Sequence, residues 1–265
     1  MNRELIKLID TTKCTACRGC QVACKQWNEM PGLRTKQTGT YQNPPELQWN
    51  TWTLMRFQEH VNEKGVFKWL FRKEGCMHCT DAACVKVCPT GALYHTEYGT
   101  VAMHNEKCIG CKYCVSACPF DVPRYDKATD MVYKCDLCLD RLRADEQPAC
   151  VKSCITGALT IGPKDAMIKK AYARVKELGG DANVYGDKFV GGTHVIYVLG
   201  ENPEVYEGLP KSPSVPATTM LWKDILKPLS LLAAGGVIGG SFLHYIIHGP
   251  KLPDEDSGQD TKGGE

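Results

Sequence analysis

Sixteen cysteines, all between Cys14 and Cys154, constrain what this 265-residue chain can fold into more than any other feature. They occupy a window of 141 residues, and the 111 residues that follow contain none. Thiols at this density serve either as disulfides or as metal ligands. A disulfide scaffold belongs to a secreted chain, which opens with an apolar signal core of about 7–15 residues. Here the opening is MNRELIKLIDTTKC, with no apolar run longer than two residues. Metal ligation is therefore the expectation.

Spacing divides the thiols into four groups of four. The first is Cys14, Cys17, Cys20 and Cys24; the second is Cys76, Cys79, Cys84 and Cys88, followed by Pro89. The third is Cys108, Cys111, Cys114 and Cys118, followed by Pro119, and the fourth is Cys135, Cys138, Cys150 and Cys154. The third group matches the bacterial ferredoxin run C-x2-C-x2-C-x3-C-P letter for letter. The second lengthens one gap by two residues, the first and fourth lack the trailing proline, and the fourth carries an 11-residue gap. Three thiolates within seven residues wrap one face of an iron–sulfur cube, each on a different iron. A fourth thiolate, three residues on, begins a new turn and serves the neighbouring cluster. Structural zinc instead draws two C-x2-C pairs around one tetrahedral ion, which leaves a third cysteine at the same spacing without a place.

An internal repeat reinforces this reading. Residues 84–93 read CVKVCPTGAL and residues 150–159 read CVKSCITGAL, identical at eight of ten positions. Each runs from a cysteine pair through Thr-Gly into an expected strand (92–96 and 158–161), as duplicated ferredoxin units would. Groups two and three lie close in sequence and make one unit; groups one and four make the other, with the first inserted between them. The ferredoxin rule then predicts four [4Fe-4S] clusters. Their ligands would be Cys14, Cys17, Cys20 and Cys154; Cys24, Cys135, Cys138 and Cys150; Cys76, Cys79, Cys84 and Cys118; and Cys88, Cys108, Cys111 and Cys114.

Composition limits the alternatives. At about 150 residues per domain the length allows one large or two modest cores. Thirty-two basic and 30 acidic side chains give a net charge of +2, which excludes a polybasic nucleic-acid binder. With 43% hydrophobic and 23% charged residues the chain is not broadly disordered. Four clusters at about −2 each would carry the whole to roughly −6. Lys13, Arg18, Lys25, Lys86, Lys107, Lys112, Lys134 and Arg141 flank the ligands and are read as offsetting that charge. No G-x-G-x-x-G, P-loop or G-x-S-x-G motif is present, so the chain is expected to carry electrons without a catalytic site of its own. His78, between Cys76 and Cys79, is read as a neighbour of the ligands and not as one of them.

The remaining segments organise around the clusters. Thr51–Phe57 and Val66–Phe71 alternate apolar and polar residues about an Asn-Glu-Lys-Gly turn, which predicts a hairpin covering cluster edges. Met167, Ala171, Val175 and Leu178 predict an amphipathic helix ending at Gly179, followed by a strand over 194–199. Pro203, Pro210, Pro213 and Pro216 mark an extended tether. Residues 228–247 then run PLSLLAAGGVIGGSFLHYII, 20 residues without a formal charge, enough to span about 30 Å of bilayer hydrocarbon. Gly235, Gly236, Gly239 and Gly240 suit packing on another membrane helix, and Trp222 and Tyr245 suit the interfaces. Lysines before it (Lys211, Lys223, Lys227) and after it (Lys251, Lys262) nearly balance, so charge leaves the orientation open. His244 and His248 are read as an interfacial polar pair.

The predicted architecture is thus α+β, two interleaved bacterial-ferredoxin-like units plus one C-terminal transmembrane helix. The expected boundaries are 1–30 with 119–163 for the first unit, 31–75 for the hairpin insertion and 76–118 for the second unit. A helix–strand cap over 164–201, a tether over 202–220, an anchor over 221–248 and a polar tail over 249–265 complete the chain.

Several motifs together resemble the iron–sulfur subunits of membrane-bound respiratory formate dehydrogenases of the N and O types. They are CTACRGCQVACKQWNE, GCMHCTDAACVKVCP, CIGCKYCVSACPFDVPR, VYKCDLCLDRLRADEQPACVKSC, GGTHVIYVL, LWKDILKPL and the ending HYIIHGPK. The cysteine runs are shared by many subunits of molybdopterin oxidoreductases, whereas GGTHVIYVL and the anchor narrow the resemblance to formate dehydrogenase. That resemblance implies a catalytic partner with a molybdenum or tungsten pterin and a membrane cytochrome b partner carrying haem b. It also implies an inner-membrane location with the cluster domain in the periplasm. Subunits of polysulfide or dimethyl sulfoxide reductases, a hydrogenase electron-transfer subunit, and a membrane-tethered zinc protein stand as alternatives.

Overall fold

The computed structural model describes residues 3–63 and 65–249. Lys64 of the hairpin turn and the polar tail from Pro250 onward, with Lys251 and Lys262, lie outside the described residues. Two units separate, residues 1–219 and 220–265.

The first unit is built on a four-stranded sheet in the order β8-β1-β10-β9. Strand β1 (Leu5–Asp10) lies second, paired antiparallel with β8 (Leu159–Pro163) and parallel with β10 (Val195–Leu199), while β9 (Asn183–Tyr185) closes the edge. Residues 164–201, expected as a separate cap, therefore supply half of the sheet that the N-terminal strand begins. The physical reason is pairing: β1 is buried along nearly its whole length, so its backbone N–H and C=O groups need a strand on each side. One face of β1 buries Ile6 and Leu8 with Ile196 and Val198 of β10 under α6 (Lys164–Leu178), through Met167, Ile168, Ala171 and Val175. Each such aliphatic side chain contributes about 1.5–3 kcal/mol. Pro163 precedes α6, where a missing N–H costs nothing, and Gly179 ends it at φ +64°. The opposite face carries Ile9, Val195, Tyr197 and Leu199 into a core with Cys20 and Cys150.

Three antiparallel hairpins and five short helices surround the cysteines. The helices are α1 (Gly19–Trp27), α2 (Ala83–Val87), α3 (Tyr113–Ala117), α4 (Leu139–Arg143) and α5 (Ala149–Lys152). The long hairpin pairs β2 (Leu54–Val61) with β3 (Phe67–Glu74), in register from Leu54 opposite Glu74 to Val61 opposite Phe67. Its base is buried through Leu54, Met55 and Leu70, whereas Val61, Phe67 and Trp69 at the tip are exposed. The other two hairpins are minimal: β4 (Leu93–His95) with β5 (Val101–Met103), and β6 (Arg124–Asp126) with β7 (Met131–Tyr133). Within the proline-spaced run, Tyr206, Leu209 and Val215 are buried, and the Tyr185 hydroxyl donates to the Pro210 carbonyl at 2.6 Å. This segment is a strap on the body of the first unit over at least that length, because its apolar residues find places in the core.

In the second unit α8 (Lys227–His248) follows α7 (Ala217–Met220) and a π-helical turn over Leu221–Leu226. At 22 residues, α8 is long and apolar enough to cross a membrane, and its large side chains, such as Leu232 and Ile238, are exposed.

Candidate metal centres

All 16 cysteines are free thiols, and each C-x2-C step is shaped by the same backbone device. The residue before the second cysteine is left-handed in all four groups: Ala16 at φ +55°, His78 at +50°, Gly110 at +65° and Leu137 at +65°. In groups one and three the residue after that cysteine, Arg18 and Lys112, is left-handed as well. Such residues cost about 1–2 kcal/mol each outside glycine, so the surroundings must impose them. The result curls the loop so that side chains and amides face one concavity. Ala16 donates its N–H to the Cys14 sulfur at 3.4 Å, and Leu137 donates to the Cys135 sulfur at 3.3 Å. Concave runs of N–H groups of this kind suit anions and iron–sulfur centres.

The sequence repeat is also a repeat of geometry. After Cys88 and after Cys154 the chain turns at Gly91 and Gly157, with φ +67° and +64°, into β4 and β8. The Thr90 and Thr156 hydroxyls each lie 3.7 Å from the preceding cysteine sulfur. Helix α2 packs on α3, and α1 on α5, which draws group two to group three and group one to group four. Strand β10 fixes the second loop, since His194 and Val195 donate their N–H groups to the carbonyls of His78 at 3.0 Å and Met77 at 3.1 Å.

The thiols that act on one another electrostatically cross the groups. Cys14 feels Cys154 and Cys17, and Cys20 feels Cys14 and Cys17. Cys24 feels Cys135 and Cys150, as does Cys138. Cys79 feels Cys76, Cys118 and Cys84, and Cys114 feels Cys111, Cys108 and Cys88. Cys88, Cys108, Cys111 and Cys114 also line one pocket with Leu93, Met103 and Val132. Between these sets the thiols that act on one another electrostatically are Cys20 with Cys150, Cys135 with Cys76, and Cys84 with Cys114. Among the described residues no three Cys, His, Asp or Glu side chains converge tightly enough to hold a single ion.

Protonation follows from burial. It pushes the Cys20 thiol up to about 11 and those of Cys24, Cys84 and Cys114 up to about 12. Burial would raise Cys88 too, yet N–H groups of Leu93, Thr90 and Ala92 and the Thr90 hydroxyl hold it below its ordinary value. Cluster binding must therefore displace protons from most of these sulfurs.

Of the cations expected near the ligands, Lys134 is buried among thiols, and Lys25 donates to the Asn50 carbonyl at 2.6 Å beside Cys24. Lys107 is exposed, and the other five turn elsewhere. Lys13 faces Asp10, Lys86 pairs with Asp81, and Arg141 pairs with Glu146. Arg18 stacks on Phe57 and Lys112 on Tyr125. Two lysines that the ligand spacing does not reveal, Lys7 and Lys73, are buried with Lys134. Burial opposes the charge on Lys73, but Cys150, Cys20 and Cys135 overcome it and raise its pKa. His78, fully buried, faces Lys134, Lys7, His194 and Lys73. Its Nδ1 accepts the Val101 N–H at 3.1 Å, which leaves the proton of the neutral ring on Nε2.

Comparison with known proteins agrees with this geometry. Two models described as 4Fe-4S dicluster domains match residues 13–92 and 67–164, and one described as formate dehydrogenase N, transmembrane, matches residues 215–257. The formate dehydrogenase iron–sulfur subunit of Haemophilus influenzae is 44% identical over 95% of this chain and 83% of its own length. The formate dehydrogenase-O iron–sulfur subunit of Escherichia coli K12 is 45% identical over 96% of this chain and 86% of its own. Formate dehydrogenase 2 subunit beta (cytochrome c-553) of Nitratidesulfovibrio vulgaris is 41% identical over 75% of this chain and 94% of its own.

Proposed function

Because the chain belongs to the formate dehydrogenase iron–sulfur subunits, we propose that it relays electrons from a formate-oxidising partner to a membrane partner through four [4Fe-4S] clusters. Oxidation of formate yields carbon dioxide, one proton and two electrons. That chemistry belongs to a catalytic partner with a molybdenum or tungsten pterin; the clusters supply one-electron exchange. The chain's own residues hold the clusters, exclude water and set the local charge.

The observation that carries this reading is the crossing of thiols between groups. It supports ligand sets of Cys14, Cys17, Cys20 and Cys154; Cys24, Cys135, Cys138 and Cys150; Cys76, Cys79, Cys84 and Cys118; and Cys88, Cys108, Cys111 and Cys114. The electrostatic pairings between sets favour a row in that order, with the Cys14 and Cys88 sets at its ends. The chain is a single-pass membrane protein by α8 and the transmembrane match. We further propose that its cluster unit faces the periplasm and that a cytochrome b subunit with haem b takes the electrons to quinone. Domain boundaries follow the same logic: one ferredoxin-like unit from groups two and three, the other from groups one and four.

Two experiments test this. Formate added anaerobically to the detergent-extracted complex should bring up reduced-cluster EPR signals; silence with formate, while dithionite still reduces them, would assign the wire to another catalytic partner. Replacing Cys154→Ser should alter the signal of the Cys14, Cys17 and Cys20 cluster. A change confined to the Cys135 cluster would overturn the ligand sets.

A further inference from the structure

We propose that Lys7, Lys73 and Lys134 form a buried cationic spine that raises the reduction potential of the central clusters above that of the Cys88 end of the row. This rests on the four ligand sets proposed above.

The three side chains are 1%, 3% and 4% exposed. Among the described residues none of them has a carboxylate within ion-pair distance. A buried ammonium without a counter-ion is strongly disfavoured, so three in one core call for anions beside them. Cysteine thiols interact electrostatically with all three. Lys73 acts on Cys20, Cys24, Cys135 and Cys150, and Lys7 acts on Cys135. Lys134 acts on Cys76, Cys84 and Cys135, and donates to the carbonyls of Val101 at 2.6 Å and Cys135 at 2.9 Å. All three charges thus converge on the set of Cys24, Cys135, Cys138 and Cys150. Lys73 is shared with the Cys14 set and Lys134 with the Cys76 set. Two acids oppose them: Asp136 faces Lys134 and Cys135, its carboxylate accepting the Cys138 N–H at 2.8 Å, and Asp121 acts on Cys118 of the Cys76 set. Among the described residues no buried ammonium is among the groups acting most strongly on Cys88 or Cys114, and the nearby Lys107 and Lys112 are exposed, where solvent and salt screen them.

Backbone design places the spine. Lys7 shares its face of β1 with Ile9, away from α6, and so enters the cysteine side of the sheet. Lys73 enters from the base of the long hairpin, and Lys134 directly follows β7. Accepting an electron adds one negative charge to a cluster, and a fixed ammonium nearby stabilises that form more than the oxidised one. Removing the ammonium must lower the potential.

The test is an anaerobic redox titration of the purified holo-complex followed by EPR, with iron counted per chain. In Lys73→Met, the reduced-to-oxidised ratio of two signals should fall about tenfold at a given ambient potential, a downward shift of about 59 mV for a one-electron couple. Lys134→Met should move two signals likewise, sharing one with Lys73→Met. The fourth signal should move in neither, and the exposed control Lys107→Met should leave all four in place. Unmoved potentials, or one equal shift of every signal, would overturn the spine. An iron count well below about 16 in the wild type would instead sink the four-cluster reading. Should a methionine variant fail to hold iron, Lys73→Arg and Lys134→Arg decide: assembly with near-native potentials supports the charge, and loss with arginine too assigns the lysines to packing and overturns it.

Discussion

At the scale of single residues, the four cysteine loops solve one steric problem with different side chains. Each needs a left-handed residue before its second cysteine, and only Gly110 takes that conformation without a penalty. Space explains the choice: a Cβ at 110 would lie 2.4 Å from both the carbonyl and a carboxylate oxygen of Asp130. Gly110→Ala therefore meets a clash on top of the left-handed cost. It is expected to destabilise the third loop by more than about 2 kcal/mol and to lower iron occupancy of the set of Cys88, Cys108, Cys111 and Cys114. Ala16→Gly, at the equivalent position of the first loop, should leave iron content intact. Equal iron content in the two variants would refute this account. A second residue-level prediction concerns His194, which donates from Nδ1 to the His78 carbonyl at 3.0 Å. Burial lowers its pKa, and the His78 carbonyl and Glu4 push the other way without prevailing. The unfolded chain therefore takes up this proton first as pH falls below about 6.5, so the stability present above that pH is lost on acidification. His194→Asn retains a donor for the carbonyl and should flatten the fall in urea midpoint between about pH 6.5 and 5. An unchanged slope would place the acid sensitivity elsewhere.

Elements differ in how far the sequence discloses them. Helix α6 is legible because it buries one face, so the 3.6-residue period survives in the sequence. The long hairpin is legible from its turn and two-residue alternation, although adjacent residues such as Leu54 and Met55 are both buried at its base. The prediction at this scale follows from α6: Ala171, 0% exposed, packs against the sheet with Ile6, Leu8, Ile196 and Val198. Ala171→Leu should cost about 1–3 kcal/mol by overpacking, seen as a lower thermal midpoint, with the visible absorbance of the holoprotein kept. The four cysteine runs were legible from spacing alone, because the loop each one shapes is local. The sheet was not: β1 pairs in parallel with β10, nearly 190 residues away, and no local pattern encodes a partner at that distance. Lys7 and Lys73 escaped notice for a related reason. A lysine in a strand reads as a solvent-facing residue, and only the docking of the sheet and the hairpin base turns both inward. The prolines of the strap likewise signal extended chain but not the core sites that Tyr206, Leu209 and Val215 fill.

Across the whole molecule, two solvents are in play, and the chain assigns one unit to each. Among the described residues the hydrophobic clusters of the first unit are composed of residues up to 215. Helix α8 instead exposes Leu231, Leu232, Val237, Ile238, Phe242, Ile246 and Ile247, a surface that water penalises and lipid does not. Folding of the cluster unit should therefore be independent of the membrane helix, whereas location should depend on it entirely. A chain ended after Thr219 is expected to be recovered without detergent, with the iron content and visible spectrum of the full-length subunit. The full-length subunit should need detergent for extraction. The comparison requires only fractionation, iron analysis and absorbance. If the shortened chain lost its iron or precipitated, the strap and the sheet would depend on α8 after all. If it stayed with the membrane, an apolar surface of the first unit, such as the exposed hairpin tip at Phe67 and Trp69, would have to hold it there.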